Sequence, residues 1–268
     1  MKGSLQMLKS PVGSKAKILV AGAVTCACLL LAAAAWATQT LEVTASFSPD
    51  KLGKPTNVHG TAKIGSVGTT LPSPIAEATV IGPAGLTVNT AGVGICEPKK
   101  LETTLNPEVC PKTSKAGYGG GVGAYEIAGQ VNEEPFTINF YRGPNEDGHL
   151  TIIAYVNAVS PVSVQLVLKA QVVPEPKPYG LGFTFKVPPV ETLPGATNAT
   201  VKSIYITLGA ANAAYFEKVH GKRTLVHIKG IVVPKKCPKG GFPYKTALTY
   251  EDGTTNAITG TIACPRGK

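Results

Sequence analysis

Residues 41–47 read Leu-Glu-Val-Thr-Ala-Ser-Phe, so that apolar and polar side chains alternate along the stretch. Alternation with a period of two is typical of a β-strand that buries one face and exposes the other. The stretch Val162–Val173 begins in the same way, with four apolar side chains on one face and Ser163 and Gln165 on the other. Both stretches therefore predict half-buried strands.

Similar short apolar runs recur along the chain and are separated by turn residues. They are Val58–Ile64, Ala76–Ile81, Phe136–Tyr141, Leu150–Val156, Leu181–Val187, Val201–Leu208, Leu225–Val233, Tyr244–Tyr250 and Ala257–Ala263. Asp147-Gly148 and Asp252-Gly253 are typical hairpin turns, because Asp and Gly tolerate positive φ. With 30 Gly and 22 Pro in 268 residues and one short helix-like stretch, Glu97–Thr104, the chain is unlike a helix bundle. We expect an all-β, antiparallel, β-sandwich-like fold of one or two packed sheets.

The first 37 residues have the features of a signal peptide. Four lysines and no acidic residue precede or begin an apolar run, Ile18–Ala37, and Ala35-Trp36-Ala37 fits the small-x-small pattern before a cleavage site. The alternative is an uncleaved membrane anchor, since residues 18–37 are long enough to span a bilayer. Either interpretation predicts an N-terminal signal or transmembrane helix and places the rest of the chain outside the cytoplasm, extracellular or at the cell surface.

We expect residues 38–268 to form one all-β domain, the alternative being two β subdomains that meet near residues 174–178. The proline-rich segment Pro174–Pro178 could be a rigid linker, but strand patterns on both sides favour a hairpin connection. Within the glycine-rich segment Ala116–Ala124, a G-x-G-x-x-A match is present. A dinucleotide site also needs a strand before this motif and a helix after it, so a bulged strand is favoured here.

Four cysteines, Cys96, Cys110, Cys237 and Cys264, remain after the signal segment. An even number in an exported chain predicts two disulfides. Three pairings are possible, and proximity in the sequence favours Cys96–Cys110 and Cys237–Cys264. Neither pair has the two- to four-residue spacing of a zinc site, so no structural metal is expected.

A pattern around the first two cysteines resembles a known group of exported proteins. Residues 83–89 read PAGLTVN, Cys96 is followed five positions later by Leu101, and residues 110–117 read CPKTSKAG. This PxGLxVN…CxxxxL…CPxxSKxG pattern is similar to that of uncharacterised β-rich exported proteins of actinobacteria. The resemblance covers residues 75–268 and implies a β-rich fold and an exported location, with no activity to carry over.

Positive charge is concentrated near the C-terminus. Residues 218–268 hold ten Lys and Arg against two acidic residues, whereas residues 38–217 hold twelve against fourteen. Such a region attracts anionic partners at a distance, which outside the cytoplasm would be cell-wall polymers or lipid headgroups; a solvated surface is the alternative. Nucleic acid is not expected, because aromatic residues for base stacking are sparse. The candidate polyanion-binding residues are Lys222, Arg223, Lys235, Lys236 and Lys239.

No motif for catalysis, cofactor binding or metal binding stands out. The four histidines have no metal-site spacing, no G-x-S-x-G precedes a helix, and Glu133-Glu134 on a strand would point to opposite faces. We therefore name no catalytic residue and expect no cofactor. The sequence favours a non-enzymatic exported protein of the cell envelope or medium with a structural or binding role. The alternative is an extracellular hydrolase whose site is assembled from distant residues.

Overall fold

The structure, a computed structural model, describes residues 38–209 and 214–265. Fifteen strands are present in this part of the chain. They are β1 (Thr38–Ser48), β2 (Pro55–Val67), β3 (Ile75–Pro83), β4 (Thr87–Asn89), β5 (Lys115–Ile127), β6 (Gln130–Arg142), β7 (Leu150–Ala158), β8 (Val164–Pro174), β9 (Tyr179–Lys186), β10 (Thr200–Leu208), β11 (Ala214–Val219), β12 (Lys222–His227), β13 (Gly230–Val232), β14 (Phe242–Tyr250) and β15 (Thr255–Ile262). One helix, α1 (Pro98–Thr104), and two 3₁₀ turns, Pro107–Val109 and Lys112–Ser114, lie between β4 and β5.

Thirteen strands form one antiparallel sheet in the order β15-β14-β3-β9-β8-β7-β6-β5-β10-β2-β13-β4, with β1 paired to β2, while β11 and β12 form a separate hairpin. The sheet curls until β1 lies beside β14 and β15. Asn256 Nδ2 donates to the Gln39 carbonyl oxygen at 2.6 Å, and the Tyr244 hydroxyl donates to the Val43 carbonyl oxygen at 3.1 Å. The curled sheet consequently has an inner face that is shielded from solvent.

The alternation of side chains along each strand decides what that inner face contains. On β1, Leu41 and Phe47 are buried and the polar residues between them point outward, as the sequence predicts. On β6, Ile138 and Phe140 are buried in a cluster with Phe185 of β9. Opposite walls of the sheet thus share one apolar interior, and the hydrophobic effect of burying these residues stabilises the curl.

A second apolar cluster lies on the outer face of β7, under the first disulfide loop. The Cys96–Cys110 disulfide packs with Leu101 of α1 against Ile153 and Tyr155. Pro98 at the start of α1 suits the helix N-terminus, where its missing N–H leaves no bond unmade. The conspicuous cysteine and leucine positions of the sequence pattern therefore hold a helix on the sheet.

The predicted all-β antiparallel class is confirmed, and both disulfides, Cys96–Cys110 and Cys237–Cys264, are formed. The segment Pro174–Pro178 lies in the connection between β8 and β9, which pair with each other. The predicted single strand Leu225–Val233 was wrong: β12 pairs with β11, whereas β13 pairs with β2 and β4. Gly230, with φ of 54°, lies where the chain changes partners.

The predicted signal or transmembrane helix of residues 1–37 lies outside the described residues. In the described ranges, no helix is both long and apolar enough to cross a membrane.

Candidate apolar binding cavity

The interior of the curled sheet contains a cavity of about 230 Å³. Its walls are aliphatic and phenylalanine side chains that include Val80 of β3, Phe136 of β6, Ala154 of β7 and Phe185 of β9. We call this space the large cavity. An apolar cavity of about 150 Å³ already accepts a benzene molecule and excludes water, so the large cavity has room for an apolar molecule bigger than benzene.

A second cavity, of about 150 Å³, adjoins the first. Val80, Phe183 and Ile206 line both spaces, so their side chains lie between the two, and we call them the shared wall. Phe183 is half-buried and packs edge-to-face on Phe185, with ring centroids 5.6 Å apart. The two spaces, which we call the large and small cavities, form one apolar interior divided by three side chains.

Glycines on β5 remove side chains from the middle of one wall of this interior. Gly117, Gly119 and Gly121 pair with β6 on one side and β10 on the other. A Cβ at any of the three would collide with a β10 carbonyl oxygen. Only glycine permits this close approach of the strands, which explains the glycine-rich segment in the sequence. The predicted bulged strand is confirmed, with an irregular register between Lys115 and Gly117.

The large cavity has one buried carboxyl group, that of Glu134. Glu134 is 5% exposed, and its Oε2 accepts a hydrogen bond from the backbone N–H of Val162 at 3.1 Å. Its Oε1 is buried with no hydrogen-bond partner among the described residues. A buried polar atom without a partner is costly, so this end of the interior carries an unused acceptor.

The small cavity has an unused donor instead. Arg142 lines it, and Arg142 Nε is buried without a hydrogen-bond partner among the described residues. Arg142 Nη1 donates to the carbonyl oxygen of Val93 at 2.7 Å and to that of Thr90 at 3.4 Å. These bonds fix the guanidinium group under the loop that follows β4, which leaves Nε available.

The candidate polyanion-binding residues lie on two separate elements. Lys222 and Arg223 are exposed on β12. Lys235, Lys236 and Lys239 are exposed in the loop between β13 and β14, beside the Cys237–Cys264 disulfide. In the described part of the chain, the ion pairs join Lys169 to Glu146 and Lys202 to Glu133. None of the five candidate residues takes part in them.

The β11–β12 hairpin exposes apolar and basic side chains on one face. Phe216 is directly opposite Leu225 across the hairpin, and both are about half exposed, at 57% and 49%. The next pair on the same face is Lys218 with Arg223, and the Arg223 guanidinium lies 4.1 Å from the centre of the Phe216 ring. The Tyr215 ring lies so close to Gly92 that a Cβ there would overlap it. The hairpin therefore contacts the loop that covers Arg142.

The remaining titratable groups do not gather into a site. Within the described ranges, no three His, Cys, Asp or Glu residues are placed to hold a metal ion. Desolvation raises the pKa of Asp252, but hydrogen bonds from Thr254, Gln39 and Ser73 outweigh it and lower the pKa below its ordinary value. Burial raises the pKa of Tyr141, and the nearby Tyr155 adds to the effect. These shifts arise from structural contacts at a turn and at the first disulfide cluster.

The chain matches no protein-family model, no curated protein and no solved structure. The geometry of the cavities is therefore the one observation that indicates these residues as a candidate site. Sequence analysis missed them, because Glu134 was weighed only for catalysis with its neighbour Glu133, and Arg142 attracts no attention outside the basic region. A glycine-rich strand between two strands with bulky inward residues is the one signal that could have indicated an interior space.

Proposed function

We propose that this protein is a non-enzymatic exported binding protein that holds an elongated apolar molecule inside its curled sheet. The observation that carries the proposal is the pair of adjoining apolar cavities, of about 230 and 150 Å³. Small-molecule sites are concave and mostly apolar, with a few polar groups that fix orientation. Glu134 and Arg142 are such groups. We propose that the opposed walls of the one curled sheet act as the two layers of a sandwich-like arrangement.

An exported location supports this role. Two disulfides are typical of proteins in oxidising compartments, and residues 1–37 have the pattern of an export signal. An apolar molecule has low solubility outside the cell, so a protein that encloses it would keep it dispersed in the envelope or medium. The similarity to exported actinobacterial proteins agrees with such a setting.

The test is displacement of a fluorescent apolar probe. We expect N-phenyl-1-naphthylamine, whose emission rises in apolar surroundings, to bind the purified protein with one-to-one stoichiometry and to be displaced by dodecan-1-ol. Ala154→Leu places three extra carbons in the large cavity, and we expect it to weaken binding about tenfold or more, since a filled cavity excludes the probe.

The matched control is Leu101→Ala, under the first disulfide. Leu101 is fully buried on the outer face of the sheet and lines neither cavity. We expect this variant to lose about 2–5 kcal/mol of stability and to retain probe binding. Equal loss of binding in both variants, or no binding by the wild type, would refute the proposal.

A second candidate function is contact with an anionic lipid surface through the β11–β12 hairpin. Exposed Phe216 and Leu225 beside Lys218 and Arg223 combine apolar area with positive charge, which is the composition of segments that bind anionic membranes. The contact between Tyr215 and Gly92 places this hairpin against the loop over the small cavity. An apolar ligand could then pass between the lipid surface and the interior.

Vesicle sedimentation tests this candidate. We expect binding to phosphatidylglycerol vesicles at low salt, with little binding to phosphatidylcholine. A basic side chain near an anionic surface contributes about 1 kcal/mol, so Lys218→Gln with Arg223→Gln should weaken binding about thirtyfold. Lys63→Gln with Lys186→Gln is the control of equal charge, since both are exposed on other strands. Equal loss from both pairs, or binding to soluble wall polymers but not to vesicles, would refute the hairpin contact.

A further inference from the structure

The polar groups at the two ends of the interior differ in a way that selects one kind of ligand. The small cavity offers an unpaired donor, Arg142 Nε, and the large cavity offers an unpaired acceptor, Glu134 Oε1. Arg142 and Glu134 are eight residues apart on β6. At about 3.3 Å per residue, their backbone positions are about 26 Å apart along the strand. The interior is therefore long, with a cationic end and an acidic end.

Arg142 determines the head group of the ligand more strongly than Glu134 does. An arginine side chain is always protonated and only donates hydrogen bonds. Its Nη1 is already used by the carbonyl oxygens of Val93 and Thr90, and its buried Nε–H has no partner among the described residues. Arg142 also forms no ion pair in the described part of the chain, so its positive charge has no counterion there. A cation with an unused N–H on an apolar cavity is suited to a carboxylate oxygen.

Resting on the proposed function, we propose that the ligand is a long-chain carboxylic acid whose carboxylate binds Arg142 Nε. Its alkyl chain runs from the small cavity past the shared wall into the large cavity. The carboxyl group of Glu134 sets the direction, because a carboxylate at that end would meet another carboxyl group instead of a donor. Charge-assisted hydrogen bonds of this kind are stronger than neutral ones.

Competition against N-phenyl-1-naphthylamine tests the head group with dodecanoate, methyl dodecanoate and dodecyl phosphate as probes. We expect dodecanoate to bind the wild type about 10- to 100-fold more tightly than its methyl ester, the range given by a hydrogen bond to a charged group. This comparison of acid and ester uses the wild-type protein alone, so it does not depend on the folding of a variant. Equal affinity for the acid and the ester would overturn the proposal, as would a preference for dodecyl phosphate over dodecanoate.

Arg142→Met keeps the approximate length of the side chain and removes its N–H groups and charge. We expect this variant to lose about 10- to 100-fold in affinity for dodecanoate and to keep its affinity for methyl dodecanoate. Lys115→Met is the matched control, because Lys115 is a cation on the same cavity but is exposed. Equal losses in the two variants would overturn the proposal.

Failure of this inference is distinguishable from failure of the proposed function. If all three probes displace N-phenyl-1-naphthylamine with similar affinity, the cavity binds apolar molecules but does not recognise a carboxylate. If none displaces it and Ala154→Leu has no effect, the cavity is not a binding site and both proposals are refuted.

Discussion

The shared wall makes a quantitative prediction about ligand length. Val80, Phe183 and Ile206 separate cavities of about 230 and 150 Å³, so a chain that fills one cavity must move the Phe183 ring to enter the other. Each buried methylene contributes about 0.8 kcal/mol, which is about fourfold in affinity. For a series of uncharged methyl esters of increasing length, we expect a fourfold gain per carbon until the chain reaches the shared wall, and a smaller gain beyond it.

Phe183→Ala should remove that break in the series. Opening the wall adds the volume of the second cavity, about two thirds of the first, so the fourfold gain should continue over chains about two thirds longer. Short esters that fit one cavity should bind the variant and the wild type equally. Because Phe183 is half-buried, the substitution should cost about 3 kcal/mol of stability, the low end for Phe→Ala, and bound ester should restore part of it.

The assay is competition against N-phenyl-1-naphthylamine, with thermal unfolding as the check on folding. Phe185→Ala is the matched control, because Phe185 lies two residues away on β9 and lines only the large cavity. It should widen that cavity without joining the two. The reasoning is refuted if the break occurs at the same chain length in Phe183→Ala and the wild type, or if Phe185→Ala removes it equally.

Four further outcomes are expected. Leu101→Ala should destabilise the protein by about 2–5 kcal/mol, because Leu101 is fully buried against the first disulfide; a loss below 1 kcal/mol in urea unfolding would contradict that packing. The lowered pKa of Asp252 means that its hydrogen bonds stabilise the fold above the ordinary pKa of about 3.9 and are lost as pH falls through the folded value. Asp252→Asn should thus lower the melting temperature at pH 7 by an amount equivalent to less than about 1 kcal/mol, since this carboxyl is exposed, and the difference should vanish once the pH is below the folded pKa of Asp252. Glu134→Gln should raise the affinity for dodecanedioate without changing that for methyl dodecanoate, and equal changes would show that Glu134 does not set direction. Trp36, the one tryptophan of the chain, precedes the proposed cleavage site, so exported protein should show tyrosine emission alone, and tryptophan emission from it would indicate an uncleaved segment.

Local sequence patterns predicted most strands, because alternation records which face of a strand is buried. Leu41 and Phe47 of β1 follow this rule, and the turns at Asp147 and Asp252 connect the strands that they were expected to connect. β5 lacks the alternation of apolar and polar side chains, because glycine carries no side chain. The two disulfide pairings could be predicted because each pair of cysteines closes a short loop. Proximity in the sequence favours such a pairing over the other two.

The candidate site could not be predicted, because it depends on long-range pairing. Arg142 reaches the loop after β4 only in the folded sheet, and Val80, Phe183 and Ile206 meet only when the sheet curls. Each residue alone is an ordinary strand residue. The unused atoms on Arg142 and Glu134 appear only when every hydrogen bond around them is counted.

The place where β1 meets β15 has a consequence for self-association. The ladder bonds of β1 go to β2 and those of β15 go to β14, so each strand has one edge of backbone donors and acceptors outside a ladder. An exposed edge of this kind can recruit a strand from another chain and begin aggregation. Here the two edges face each other and are joined by the hydrogen bond from Asn256 to Gln39. The edge of β1 therefore blocks the edge of β15 from pairing with a second molecule, and the edge of β15 does the same for β1. Side-chain contacts at this junction therefore protect the protein from self-association through the open edges of β1 and β15.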